Sequence, residues 1–186
     1  MKKYVFSLAL TAVVLFMFTA CDTNIANLSD AEIEAIYQKA VEAFGWFDVE
    51  TMPLDTTYEA VCENGFVYWR VDFEGINTLA DLEAYLGTLF SPEIISGLFA
   101  DGISYREFDG VLYAIGASRG GNLTRGDEVH EIIRNIREDN SNIIYRVTVD
   151  VLNVDNLEEV VGFEIYDFVL SYVNGNWIFL NFNLVW

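Results

Sequence analysis

Along residues 29–45 the apolar positions Ile33, Ile36, Tyr37, Ala40, Val41 and Phe44 recur every three or four residues, the spacing that lines one side of a helix. Ser29 and Glu32 frame its start as a capping box, in which each side chain takes a backbone N–H that the helix leaves unpaired. Acidic residues crowd the first turns, where the helix dipole favours them, and Gly45 marks the expected end. A second helix is predicted from Thr78, with Leu79, Leu82, Leu86 and Leu89 in step. A short third one runs from Ser91-Pro92 to about Phe99, because proline at the first helical position lacks only an N–H that has no partner there.

The remaining pattern alternates with a period of two. Asn64-Gly65 sits between 57–62 and 66–71, Asp109-Gly110 between 103–108 and 111–115, and Asn174-Gly175 between 160–173 and 177–185. Each pair readily takes the positive φ of a tight hairpin turn. Residues 128–137 and 142–152 form a longer pair. In the second of these Ile143, Tyr145, Val147, Val149 and Val151 share one face, and Arg146, Thr148 and Asp150 the other. Residues 46–56 are irregular and 116–127 form a glycine-rich loop. The sum is an α+β protein, with N-terminal helices packed on a curved, mainly antiparallel sheet of six or more strands. No strand–helix–strand rhythm and no internal repeat is present, so a dinucleotide-binding fold is not expected.

The first twenty residues follow another logic. Met1-Lys2-Lys3 precedes an uncharged apolar run from Tyr4 to Ala20, and Phe18-Thr19-Ala20-Cys21 resembles a bacterial lipobox. The run of about 17 residues is at the short limit for a membrane span, and a span needs no small residue followed by cysteine at its end. The expected organisation is a lipoprotein signal peptide at 1–20, a short tether at 21–28 and a single α+β domain at 29–186. The resemblance implies lipidation of Cys21. That would place the chain on the outer face of the bacterial cytoplasmic membrane, its domain within about 25 Å of the anchor.

Charge then narrows the partners. The chain carries 29 acidic and 10 basic side chains, a net charge of −19. The excised segment holds two lysines and no acid, so the mature domain stands at −21. Nucleic acid is not expected, since binding it requires a basic face. Disorder is not expected either, with 53% hydrophobic and 15% aromatic residues. With Cys21 acylated, Cys62 is the only thiol and no internal disulfide can form; Cys62 itself reads as a core filler in an apolar strand.

Candidate chemistry is thin. Gly116-Ala117-Ser118-Arg119-Gly120 matches G-x-S-x-G, but Gly121-Asn122 does not open a helix, and the only histidine, His130, follows too soon to serve as the late-lying base of such a hydrolase. One histidine and one free thiol cannot build a zinc cluster. Asp101-Gly102 and Asp109-Gly110 lack the alternating acids of a calcium loop. Paired carboxylates carry no information in a chain this acidic. The strand aromatics Trp69, Tyr145, Tyr166, Tyr172, Trp177 and Trp186 read as packing groups, and Phe44, Trp46 and Phe47 as residues that cover the sheet. No catalytic residue, cofactor or metal is assigned.

Three stretches, Phe66 to Val71 (FVYWRV), Leu79 to Phe90 (LADLEAYLGTLF) and Tyr105 to Tyr113 (YREFDGVLY), together with Val173 to Trp177, resemble the secreted inhibitors of D,L-endopeptidases, the bacterial hydrolases that cut peptidoglycan stem peptides. The resemblance implies one domain with a bent antiparallel sheet and a protruding loop that enters the target's cleft. Residues 116–127 fit that role by position and composition. Gly116, Ser118, Arg119, Gly120, Gly121, Asn122 and Arg125 are then the candidate protein-binding residues. Membrane anchoring and strong acidity depart from the typical inhibitor. The expected function is therefore an extracytoplasmic lipoprotein, not an enzyme, that restrains a basic cell-wall hydrolase. The alternative is a lipid-tethered binding module for a small ligand, a metal or a wall fragment.

Overall fold

The computed structural model describes residues 28–118, 120, 122–135 and 142–185. The expected signal peptide, Cys21 and most of the tether lie outside the described residues, as do Arg119, Gly121 and Trp186. Helix α1 (Asp30–Asp48) begins at the expected capping box, with the Ser29 N–H bonded to Glu32 Oε2 at 2.8 Å. It runs through Gly45 to Asp48, because its last turn carries Trp46 into the core and Phe47 against Phe99 and Tyr105. Burying an aromatic side chain contributes about 1.5–3 kcal/mol, more than the roughly 1 kcal/mol that glycine costs inside a helix. Helices α2 (Leu79–Leu86) and α3 (Pro92–Leu98) begin at the expected positions, α2 behind a second capping box formed by Thr78 and Asp81, but α2 stops at Leu86 and Leu89 lies beyond its end. Pro92 opens α3 as expected, but the Ser91 hydroxyl makes no capping bond.

The α+β class holds, and the strands divide between two antiparallel sheets. In the first, β1 (Leu54–Asp55) and β2 (Val61–Glu63) both pair with β3 (Phe66–Val71), which pairs with β5 (Val111–Ile115), and β5 with β4 (Tyr105–Phe108). In the second, the order follows the chain: β6 (Arg125–Asn135), β7 (Asn142–Asn153), β8 (Asn156–Val173) and β9 (Asn176–Phe179). The three hairpin pairs behave as read, with Asn64, Asp109 and Asn174 at φ 51°, 51° and 50° and a positive-φ glycine after each. The β7–β8 turn at Val154-Asp155 has no such pair and no positive φ; register shifts around Val151–Asn153 accommodate it instead.

Helix α1 joins the two sheets. Tyr37 stacks on Tyr145 of β7 at 4.2 Å and meets Phe168, Phe179 and Phe182, while Trp46 at the other end meets Phe73 and Tyr85. A second link runs through the α2–α3 junction: the Phe179 N–H donates to the Leu89 carbonyl at 2.8 Å and the Ser91 N–H to the Phe179 carbonyl at 2.9 Å. Cys62 departs from its reading as core filler. It is exposed, because β2 sits at the margin of the first sheet, where Val61 and Glu63 take the half-buried positions.

Candidate functional site

The glycine-rich segment leaves the first sheet at Gly116 and is held at once. The Thr51 N–H donates to the Ala117 carbonyl at 3.2 Å, and Glu50 forms a bridge with Ser118. Between this stretch and the end of α1 lies an open cleft of about 800 Å³, lined among others by Trp46, Glu50, Met52, Leu54, Gly116 and Ser118. Ser118 itself is exposed. The one histidine of the chain is engaged elsewhere: Nε2 of His130 meets Glu128 at 3.0 Å and Nδ1 meets the Tyr145 hydroxyl at 2.7 Å.

The second half of the segment is a folded turn. The Asn122 side chain accepts from the Thr124 N–H at 3.0 Å and hydroxyl at 2.8 Å, and the Arg125 N–H closes on the Asn122 carbonyl at 3.1 Å. Such a local Asx turn is a shaping role for Asn122. Leu123 at its crest is 78% exposed. The Leu152 N–H then donates to the Thr124 carbonyl at 2.8 Å, which fixes the turn beside the β7–β8 hairpin. Arg125 lies within β6, so the strand begins three residues earlier than its pattern suggests. Its guanidinium meets Glu164 at 2.7 Å and the Tyr166 hydroxyl at 3.3 Å. The Tyr166 hydroxyl and then Arg125 hold the Glu164 carboxyl below its ordinary value, and Glu164 in turn raises Arg125. Gly120 is exposed within the segment.

What surrounds this turn was not legible as a surface. Strand β8 is exposed over nearly all its first ten residues, and Val154, Leu157, Val160, Val161, Phe163 and Ile165 are open to solvent. The register sets Val129 of β6, Thr148 of β7 and Ile165 of β8 side by side on the face opposite Tyr145. Exposed or half-exposed acids accompany them: Asp127, Asp150, Asp155, Glu158 and Glu159. The arginines of this sheet are already spent. Arg146 grips Asp167 with two bonds of 2.7 and 2.8 Å, and Arg134 meets Asp30 at 2.6 Å. The result is an apolar surface within an acidic field, next to the Asn122–Arg125 turn. The only sequence signal for it is the interleaving of acids with the apolar run 157–165, which a strand buried on both faces would not tolerate.

The helix is strapped to this sheet by a polar chain. Tyr145 donates to Glu34, while its hydroxyl also meets His130, whose far nitrogen meets Glu128. Burial raises the Tyr145 and Tyr37 hydroxyls well above their ordinary range, with the nearby glutamates adding to it. For Glu34 burial alone would raise the carboxyl, but bonds from Tyr145 and Gln38 and the nearness of His130 bring it below 4.5. Among the described residues no group of three or more histidine, cysteine or acidic side chains could hold a metal, and no helix is long and apolar enough to cross a membrane. Comparison of the chain with protein-family models finds no match, and comparison with curated proteins finds none.

Proposed function

We propose that this chain is an exported, lipid-tethered domain that binds another protein, and that the partner is a basic cell-wall D,L-endopeptidase restrained by steric plugging. The observation that carries this reading is the apolar surface of β6–β8 within its acidic field, continuous with the Asn122–Arg125 turn. Exposed apolar groups of this density mark interaction surfaces, and the acidity selects a basic partner and speeds encounter. Leu123 and the hairpin side chains supply apolar anchors. Asn122 shapes the turn that presents Leu123, and Gly116, Ser118, Arg119, Gly120 and Gly121 are assigned to the same binding segment.

The test adds the protein to D,L-endopeptidases of the same cell and follows stem-peptide cleavage. Slowed cleavage at micromolar protein or below is expected; no slowing and no complex across the enzyme set would sink the reading. The cleft beside Trp46 and Met52 favours a second reading, a binding module for a small ligand or wall fragment. Soluble wall fragments that perturb the Trp46 fluorescence while cleavage is unaffected would favour it.

A further inference from the structure

We propose that the free edge of β8, residues 156–166, accepts an extended basic segment of the partner as an added strand. This deepens the protein-binding reading and rests on it. Strand β9 pairs with β8 only from Leu170 to Val173. Beyond that point the cover thins to single groups. The Leu180 N–H donates to the Val169 carbonyl at 2.8 Å. The Asn181 side chain accepts from the Val169 N–H and donates to the Asp167 carbonyl, each at 2.7 Å. Asn181 thus imitates a neighbouring strand for two more positions and ends.

Backbone groups on one side of a strand belong to every second residue. Val169 and Asp167 face this edge, so Ile165 and Phe163 face it next, and among the described residues no backbone partner meets them there. The alternation shifts at Val161, where Gly162 opposes Val151 and Val160 opposes Leu152, and again before Val160, where Asn156 opposes Asn153, so the edge is regular from Gly162 onward. Phe163 and Ile165 are also 67% and 52% exposed. An edge of this length is a template for strand addition, and proteins usually blunt one with lysine, proline or a short strand. Residues 156–166 contain no lysine and no proline.

Charge decides the occupant. Among the described residues Glu158 and Glu159 lie along this strand without an ion pair, while Glu164 and Asp167 are met by Arg125 and Arg146, so two copies of β8 laid edge to edge would bring carboxylates together. Like charges directly opposite one another destabilise a strand pair, and opposite charges stabilise it. The complementary segment is one in which apolar residues, packing beside Phe163 and Ile165, alternate with lysine or arginine.

The test uses the full chain in mild detergent with two ten-residue peptides, one alternating valine and lysine and one alternating valine and glutamate. The valine–lysine peptide is expected to slow amide hydrogen exchange at Phe163 and Ile165, and the valine–glutamate peptide to leave it unchanged. Ile165→Pro removes the outward N–H without touching the ladder to β7, and it should weaken binding by about tenfold or more. Should that variant fail to fold, Ile165→Lys, which sets like charge against the incoming strand, should weaken it likewise. No protection, equal protection by both peptides, undiminished binding by the folded variant, or a dimer that protects both amides without peptide would each overturn the proposal. An Ile165→Pro protein that still restrains the endopeptidases would defeat the edge and spare the wider reading. A wild-type protein that binds the basic peptide there yet slows no endopeptidase would do the reverse.

Discussion

The guanidinium of Arg125 reaches Glu164 across the intervening strand, β6 to β8, at 2.7 Å. It passes β7 at the level of Val149 and Val151, and Val149 is fully buried. A side chain singled out from sequence as a partner contact therefore serves the protein's own sheet. Arg125→Gln frees the Glu164 carboxylate and adds to the acidity of the surface. Endopeptidase restraint is expected to persist or strengthen. A fall in affinity of about tenfold, roughly 1.4 kcal/mol, would return Arg125 to the role of a direct contact.

Acid should loosen the strap between α1 and the second sheet. Glu34 and Glu164 are both held below their ordinary value of 4.5. A depressed carboxyl contributes stability that is present above its unfolded value and lost as pH falls through the folded one. Stability should therefore decline as pH drops below about 4.5. In Glu34→Gln the stability at neutral pH should be lower and the acid decline shallower, read from unfolding midpoints between pH 7 and pH 3. An unchanged slope would remove Glu34 from the account.

Tyr105 closes the other end of α1. Its buried hydroxyl donates to the Trp46 carbonyl at 3.0 Å and accepts from the Met52 N–H at 3.1 Å. Tyr105→Phe leaves both backbone groups without that partner, and a loss of about 1–3 kcal/mol is expected in denaturant unfolding.

Gly126 sits where a side chain would crowd the neighbouring strand. A Cβ there would lie 2.9 Å from Leu152 Cδ2 and 3.1 Å from Asp150 Cβ. The leucine tip can rotate away, but Asp150 Cβ moves only with β7. Gly126→Ala should cost about 1–2 kcal/mol and speed hydrogen exchange at Leu152, whose N–H ties down the Asn122–Arg125 turn.

Leu123 offers the cleanest separation of binding from folding. At 78% exposed it contributes little to the core. Leu123→Ser should leave the unfolding midpoint unchanged while weakening endopeptidase restraint by about tenfold, the value of one apolar anchor at an interface. Unaltered restraint would move the contact surface away from the turn.

The sequence by itself determined the local elements. The capping boxes at Ser29 and Thr78 and the turns at Asn64-Gly65, Asp109-Gly110 and Asn174-Gly175 rest on interactions within about four residues, so they can be read from neighbours along the chain. It also determined the acidity and the burial of one face of β7, whose alternation is unbroken from Ile143 to Val149. Turn chemistry could not reveal the Val154-Asp155 hairpin, which depends on bulges in the pairing itself. Only the tertiary structure decided the rest. It extended α1 past Gly45 because Trp46 finds a distant pocket, and it divided the strands between two sheets. It drew Arg125 to a carboxylate 39 residues away. Among the described residues it also left the first ten of β8 with no helix over them. An apolar run has the same appearance whether or not another element covers it, and that cover is a property of the whole fold.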